Sequence, residues 1–407
     1  MDYRKWITGL DMMPGFTARR SGYRIADLPD VRPQLARADA AKPWQQPMES
    51  DAGVKQRIPY FDFMRGLTVI LVVMFHACCW GYLSESQVPA LYVHFNAFLA
   101  NIRMPVLMMI SGYLIKNIAR KERREVMGRI AQLMWLYALW MPVNLVAHVV
   151  AAGDQTGIAD LCGKMILEWI NPTSEMWFIW SLVIFTGLAY ALRDVPKHVI
   201  IILLVVGNGL TYQFEWFANQ LAAASMPRMA MFFFGGIFFH QQINRLVASP
   251  FRWGTLLTLM TGTVGFHYSE SVIHEGLGIY VFQGLETVLV SLTIMYLCRM
   301  LTWSHHLVAV FGKIGRNTLP IYLAHVPMIL LARGAVLGWE GAGAYLAPVV
   351  LVAAGVGGGL LLHRIAGAAG GWWLYRRPNW FDARYAYAFL SGLRDSAYRS
   401  ASIIPYR

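Results

Sequence analysis

Charge is scarce in this sequence. Only 14% of its 407 residues are Asp, Glu, Lys or Arg, where a soluble domain carries about a quarter, so a water-soluble globule is excluded. Cysteine is scarcer still. The four thiols, Cys78, Cys79, Cys162 and Cys298, fall in no metal-ligand spacing. They read as free thiols acting as small apolar residues, the alternative being a pairing of Cys78 or Cys79 with Cys162. No run alternates apolar and polar residues over a barrel strand's length, which excludes a transmembrane β-barrel. No internal repeat stands out, which counts against the inverted-repeat transporters. Nor is there an apolar core near Met1 of the kind a cleavable signal peptide requires.

What the chain has in abundance is apolar length. Hydrophobic residues make up 57%, with 15 Trp, 19 Tyr and 21 Phe, so disorder is excluded along with solubility. Ten apolar segments can be drawn, at 59–83, 91–115, 130–152, 176–192, 198–214, 218–239, 253–269, 277–298, 317–338 and 343–363. Each is set against the ~20 residues a helix needs to cross a bilayer. Pro227 and Arg228 are expected to interrupt the sixth, a break tolerated only where protein covers the backbone. The expectation is an all-α polytopic membrane protein of about ten transmembrane helices. Residues 1–57 form a polar N-terminal tail with a docking segment near Trp6, 58–365 the membrane domain, and 366–407 a C-terminal tail. The connection at 153–175 reads as a re-entrant or lid segment.

The net charge of +12 raises the question of nucleic acid, but no such motif is present and the basic residues have a topogenic explanation. With the N-terminus inside, 30 of the 35 Lys and Arg fall in inner segments. Only Lys164, Arg228 and Arg333 fall outside, while Arg65 and Arg103 lie within helices. The outer loops carry Glu85, Asp154, Asp160, Glu168, Glu175, Glu215, Glu270, Glu275 and Glu340 instead. That asymmetry places both termini in the cytoplasm of a multi-pass protein.

Ionisable groups inside membrane helices are costly and are functional candidates by default. The first segment holds Asp62, Arg65 and His76. On an α-helix Arg65 and His76 lie about 20° apart around the axis and roughly 16 Å apart along it, with Asp62 within about 40° of His76. One stripe therefore carries a carboxylate and a guanidinium near the inner mouth and an imidazole at depth. An imidazole titrates near neutrality and can serve as a general base. A hydrogen-bonded core histidine and a snorkelling arginine are the structural alternatives. Glu286 is the other carboxylate set squarely within a segment. It is placed to orient or charge-stabilise a histidine, or to tie two helices together in its protonated form.

The stretch Asp62-Phe-Met-Arg65-Gly-Leu-Thr-Val-Ile-Leu-Val-Val-Met-Phe-His76 resembles the R-x10-H signature of the integral-membrane acyltransferase 3 family. Three more stretches match in order. Arg103-Met-Pro-Val-Leu-Met-Met-Ile-Ser-Gly-Tyr113 is similar to its second-helix "PLFFFLSGF" segment, without the phenylalanines at Val106 to Met109. Met176-Trp-Phe-Ile-Trp180 is similar to its "LWFL" opening, and Gly312-Lys-Ile-Gly-Arg-Asn-Thr-Leu-Pro-Ile-Tyr-Leu-Ala-His325 to its "G..SYPLYLLH" motif. The resemblance spans about 58–365.

The resemblance implies transfer of an acyl group, usually acetyl and sometimes succinyl, from a cytoplasmic CoA thioester to a hydroxyl beyond the membrane. Acceptors of such enzymes are polysaccharides, glucans or lipid-linked sugars. Acyl-CoA enters as co-substrate, acetyl-CoA first and succinyl-CoA as the alternative, and no metal is expected. His76 is then the general base or a transient acyl carrier, and Arg65, Asp62 and Glu286 complete the candidate catalytic set. Arg120 and Arg123 have the spacing of the R-x-x-R pair some members carry. Arg124 with Arg129 serves equally, and Arg316 opens the later motif at the same mouth. These five, with Arg65, suit the phosphates of CoA, positive-inside anchoring being the alternative. His325 and Tyr322 share a helical face. His94, His148, His305 and His306 carry no functional expectation. The outer aromatics, Trp80, Tyr82, Trp169, Trp177, Trp216, Tyr268 and Trp339, read as an interface belt. Sugar rings stack on such side chains, so Trp177, Tyr322 and His325 are the candidate acceptor contacts. The expected setting is a bacterial inner membrane, with an exopolysaccharide acceptor, the bilayer, and a polysaccharide synthase complex as partners, and no nucleic acid. Two other classes stay open: a transporter or flippase using His76 and Glu286 as a proton relay, and a non-catalytic scaffold for a synthase.

Overall fold

The computed structural model describes residues 58–79, 88–153, 157–213, 221–272, 277–378 and 381. The docking segment near Trp6, and Trp80, Tyr82, Glu85, Glu215, Trp216 and Glu275, lie outside the described residues. Among those described, every regular element is helical, as expected where no water can satisfy the backbone. Thirteen α-helices follow in order: α1 (Pro59–Cys79), α2 (Ala90–Leu114), α3 (Arg123–Ala152), α4 (Ile158–Ile170), α5 (Trp177–Ala191), α6 (Lys197–Gln213), α7 (Leu221–Phe238), α8 (His240–Ala248), α9 (Trp253–Val272), α10 (Leu277–Leu301), α11 (His305–Arg316), α12 (Thr318–Arg333) and α13 (Ala342–Ala368).

Each of the ten predicted segments falls on one of these helices, and α4, α8 and α11 are additional. Five stretches are long and apolar enough to cross a bilayer by length and composition: Pro59–Cys78, Ala90–Arg120, Arg123–Ala152, Phe282–Leu301 and Ala342–Ala368. Trp177–Ala191, Lys197–Leu210, Met226–Phe238 and Thr318–Arg333 are apolar but shorter. One expectation changes. Helix α7 runs unbroken through Pro227, packed against α2, α5 and α6. The connection at 153–175 is largely helical: most of it is α4, followed by a turn that Glu168 braces. Cys78, Cys162 and Cys298 are free thiols.

Helix α1 sits in the middle, packed by α2, α11, α12 and α13. Its Phe63, Val69, Val73 and Ala77 are fully buried, and the Tyr60 hydroxyl donates to the Met295 carbonyl of α10. Without a hydrophobic drive between helices in lipid, close backbone approach supplies the packing energy. A Cβ added at Gly315 would collide with the Asp62 carbonyl, and one at Gly66 with the Phe311 carbonyl, so α1 and α11 touch backbone to backbone. Gly112 and Gly236 do the same between α2 and α7. The outward faces carry Leu91, Phe98, Ile202, Leu257 and Leu361, exposed as lipid-facing residues are.

Part of the predicted C-terminal tail belongs to the packed body. Beyond α13 a short strap, with a 3-10 turn at Trp372–Leu374, lies on α3. Trp135 Nε1 donates to the Trp373 carbonyl and Trp140 Nε1 to the Leu374 carbonyl, both at 2.8 Å. Gln132 gives its amide to the Tyr375 carbonyl at 3.1 Å and takes the Arg377 N–H at 3.0 Å.

Candidate functional site

Where α1 begins, the α1–α11 contact and the turn between α2 and α3 enclose a cavity of about 880 Å³. Its lining includes Arg65, Lys116, Lys121, Arg129 and Arg316 against two carboxylates, Asp62 and Glu125. Asp62 stands 3.9 Å from Arg65, and Glu125 pairs with Lys121 at 2.5 Å, so positive charge remains in excess. The Gly315 contact brings Arg316 to this rim. Of the six predicted phosphate ligands, Arg65, Arg129 and Arg316 line the cavity. Arg120, Arg123 and Arg124 are exposed and outside its lining. Neither arginine of the R-x-x-R pair therefore reaches the cavity, whereas Arg129 of the alternative pair, five residues beyond Arg124 on α3, does. Lys116 and Lys121 of the same basic loop supply two further cations. Tyr113, whose ring lies 4.3 Å from that of Phe61 and 4.1 Å under the Lys116 ammonium, also lines the wall. Its buried hydroxyl has no hydrogen-bond partner among the described residues.

Eleven residues along α1 from Arg65 lies His76, buried against His325 of α12. His325 Nε2 and His76 Nδ1 are 3.1 Å apart, with ring centroids at 4.9 Å. The network assigns the tautomers. The Val72 carbonyl can only accept, so His76 Nδ1, at 2.9 Å, carries the proton. The Tyr322 carbonyl can only accept from His325 Nδ1, at 2.6 Å. His325 Nε2 therefore offers a lone pair to the His76 Nδ1–H, and the remaining lone pair on His76 lies at Nε2. That nitrogen is the basic one. Arg103 of α2 stacks on Phe75 at 3.9 Å and donates to the Asn96 carbonyl at 3.2 Å, placing a buried guanidinium beside the pair.

On the other flank the structure assembles residues the sequence reading passed over. Glu175, just before α5, is 7% exposed, and both its carboxylate oxygens meet His148 Nε2 of α3, at 3.0 and 3.1 Å. The Glu175 backbone carbonyl takes the Tyr322 hydroxyl. In the sequence Glu175 is one of the outer-loop carboxylates and His148 carries no functional expectation. The only signal was Glu175's place two residues ahead of Trp177 in the third motif. Trp177 opens α5 beside this turn, its ring half-buried.

Glu286 is placed elsewhere. It pairs with His267 of α9 at 3.0 Å, on the α9–α10 pair, rather than on the helices carrying His76 and His325. Asp62 stands by Arg65 at the cavity, about 21 Å along α1 from His76 at 1.5 Å per residue. His94, His305 and His306 are exposed. No group of three His, Cys, Asp or Glu among the described residues could hold a metal ion.

A bundle of apolar helices, with a basic cavity at one end and a buried histidine pair at depth, has the layout of a membrane-embedded group-transfer enzyme. Residues 58–364 match the family described as an acyltransferase domain, and the chain belongs to that acyltransferase 3 family of membrane enzymes. It is similar to the inner membrane protein YcfT of Escherichia coli (strain K12), 22% identical over 298 residues, covering 67% of this chain and 80% of that protein. It is also similar to the nodulation protein NolL of Sinorhizobium fredii (strain NBRC 101917 / NGR234), 27% identical over 149 residues, 35% of this chain and 38% of that protein. No solved structure matches.

Proposed function

We propose that this acyltransferase moves an acyl group, acetyl in the first instance, from cytoplasmic acyl-CoA to a hydroxyl of an extracytoplasmic saccharide, an exopolysaccharide being the favoured acceptor. The chain would cross a bacterial inner membrane ten times with both termini inside, the orientation that the Lys and Arg distribution supports. The phosphates of CoA would then lie in the basic cavity, where Arg65, Arg129, Arg316, Lys116 and Lys121 offer charge-assisted donors. The pantetheine arm would run along α1 and bring the thioester to His76.

The single observation that carries this reading is the buried His76–His325 pair on α1 and α12. With its Nδ1 held by the Val72 carbonyl and His325, His76 would present Nε2 as a general base for a hydroxyl. Asp62 holds Arg65 toward the donor. Trp177 and Tyr322 stand on the acceptor's side of the pair. The acyl group changes carriers at depth, so no CoA crosses.

The test is His76→Ala, expressed in cells deleted for the native copy. Envelope glycans, analysed by mass spectrometry, should lose the acyl mass that the wild-type chain restores, while the variant stays at wild-type level in the membrane. Unchanged acylation by that variant refutes the assignment.

A further inference from the structure

The polar chain does not end at the histidine pair. From His76 it passes to His325, through the Tyr322 carbonyl to Tyr322 itself, by the Tyr322 hydroxyl to the Glu175 carbonyl, and by the Glu175 carboxylate to His148. It thus runs from the central helix α1 to α3 through α12 and the turn before α5. Burying a carboxylate in an apolar bundle is costly, and such a group persists where it is held and used.

The holding is visible. His148 Nε2 spans both oxygens of Glu175. The turn that carries it is fixed by a second buried carboxylate, Glu168, which accepts from the backbone N–H and hydroxyl of both Thr173 and Ser174. The two acids are used differently. Glu168 spends its oxygens within its own turn, five and six residues away. Glu175 is anchored across 27 residues to α3 and, through its backbone, across 147 residues to α12.

The need for an anion is also visible. When His76 takes a proton it becomes an imidazolium with the Arg103 guanidinium close by, stacked on the adjacent Phe75. Like charges in a low dielectric repel strongly. Glu175 is tied to the pair through Tyr322, whose hydroxyl donates to the Glu175 carbonyl and whose own carbonyl accepts from His325 Nδ1. Among the described residues the charged and titratable groups gathered here include His76 on α1, Arg103 on α2, Tyr137 and His148 on α3, Glu168 on α4, Glu175 ahead of α5, and Tyr322 and His325 on α12.

We propose that Glu175 is a positioning residue of the acyl transfer, a fixed anion that stabilises the positive charge His76 acquires in the transition state. This rests on the role proposed above for His76. In the step itself the acceptor oxygen bonds to the acyl carbon and the carbon–sulfur bond breaks. The hydroxyl proton passes to His76 Nε2 and on to the departing CoA thiolate. No net proton leaves the site, so Glu175 has no need to titrate. What it contributes is charge, as the aspartate does behind a catalytic histidine.

The experiment compares Glu175→Gln with Glu175→Asp in the full-length chain, using the same deletion background and glycan readout, with rates normalised to membrane protein. Glutamine keeps the size, a carbonyl oxygen for His148 and the backbone bond to Tyr322, but removes the charge. Aspartate keeps the charge and shortens the reach. The glutamine variant should slow acylation by roughly 10- to 100-fold, and the aspartate variant should recover a clear part of that loss. Wild-type rates in Glu175→Gln overturn the proposal. So does an aspartate variant no faster than the glutamine one, since packing, not charge, would then be what the site needs. His76→Ala run alongside separates the two readings: an active His76→Ala sinks the parent mechanism, whereas an inactive one beside a fully active Glu175→Gln sinks only this inference.

Discussion

Replacing His325 by leucine removes the lone pair that receives the His76 Nδ1–H and leaves that proton with the Val72 carbonyl alone. The size of the effect follows from there being two acceptors. At 2.9 Å the Val72 bond is the shorter and stays within α1, so the tautomer of His76 survives. What is lost is the second contact at 3.1 Å. One buried hydrogen bond is worth about 0.5–1.5 kcal/mol net, and a tenfold rate change corresponds to about 1.4 kcal/mol. His325→Leu should therefore slow acylation about 2- to 12-fold. His325→Gln, which can place an oxygen near the same spot, should stay closer to wild type. The assay is initial acylation of envelope glycans in deleted cells, with thermal unfolding in detergent confirming that both variants are folded. A loss of several hundredfold in His325→Leu would refute the reasoning, because it would mean that His325 performs chemistry itself.

Two further outcomes follow from the cavity and its rim. Gly315→Val forces a side chain into the Asp62 carbonyl, and overpacking of this kind costs about 1–3 kcal/mol or more. A lowered unfolding temperature and lost activity are expected together, and an unaltered unfolding temperature would show that α1 and α11 do not meet there. Arg129→Ala and Arg316→Ala should each raise KM for acetyl-CoA about 2- to 5-fold, since exposed charge contacts are discounted by solvent, with kcat nearly constant. The effect should shrink at high ionic strength. A change in kcat alone would place these arginines away from the donor.

The helical architecture and one face of the site were legible because they depend on local periodicity. Spacing along a single helix set Arg65 and His76 on one stripe, and apolar length located all ten segments. The other face depended on contacts between distant residues. His148 and Glu175 are 27 residues apart, and Glu175 stood in a connection where a loop carboxylate is unremarkable. His325 was visible within a motif, but its contact with His76 spans 249 residues. Glu286 illustrates the converse. Its place within an apolar helix does not say which neighbour a helix face meets, and here that neighbour is His267. Lys116 and Lys121 were hidden by their number, since any cytoplasmic loop would be expected to carry such residues. The Gly66–Gly315 contact was unreadable for a related reason: the chain has 36 glycines, and composition does not mark which ones meet a neighbouring backbone.

The strap after α13 is gripped by its peptide groups as well as by the packing of Leu374 and Tyr375. Indoles and an amide of α3 hold the carbonyls of Trp373, Leu374 and Tyr375, and Gln132 takes the Arg377 N–H in return. Such a clasp reads chain path as much as chain identity. The exposed side chain at 373 can change with little effect on those carbonyls, whereas a proline at 377 would delete the returned donor. Substitutions at Gln132, Trp135 or Trp140, far away in the sequence, would loosen the carboxyl-terminal segment more than most changes within the segment itself.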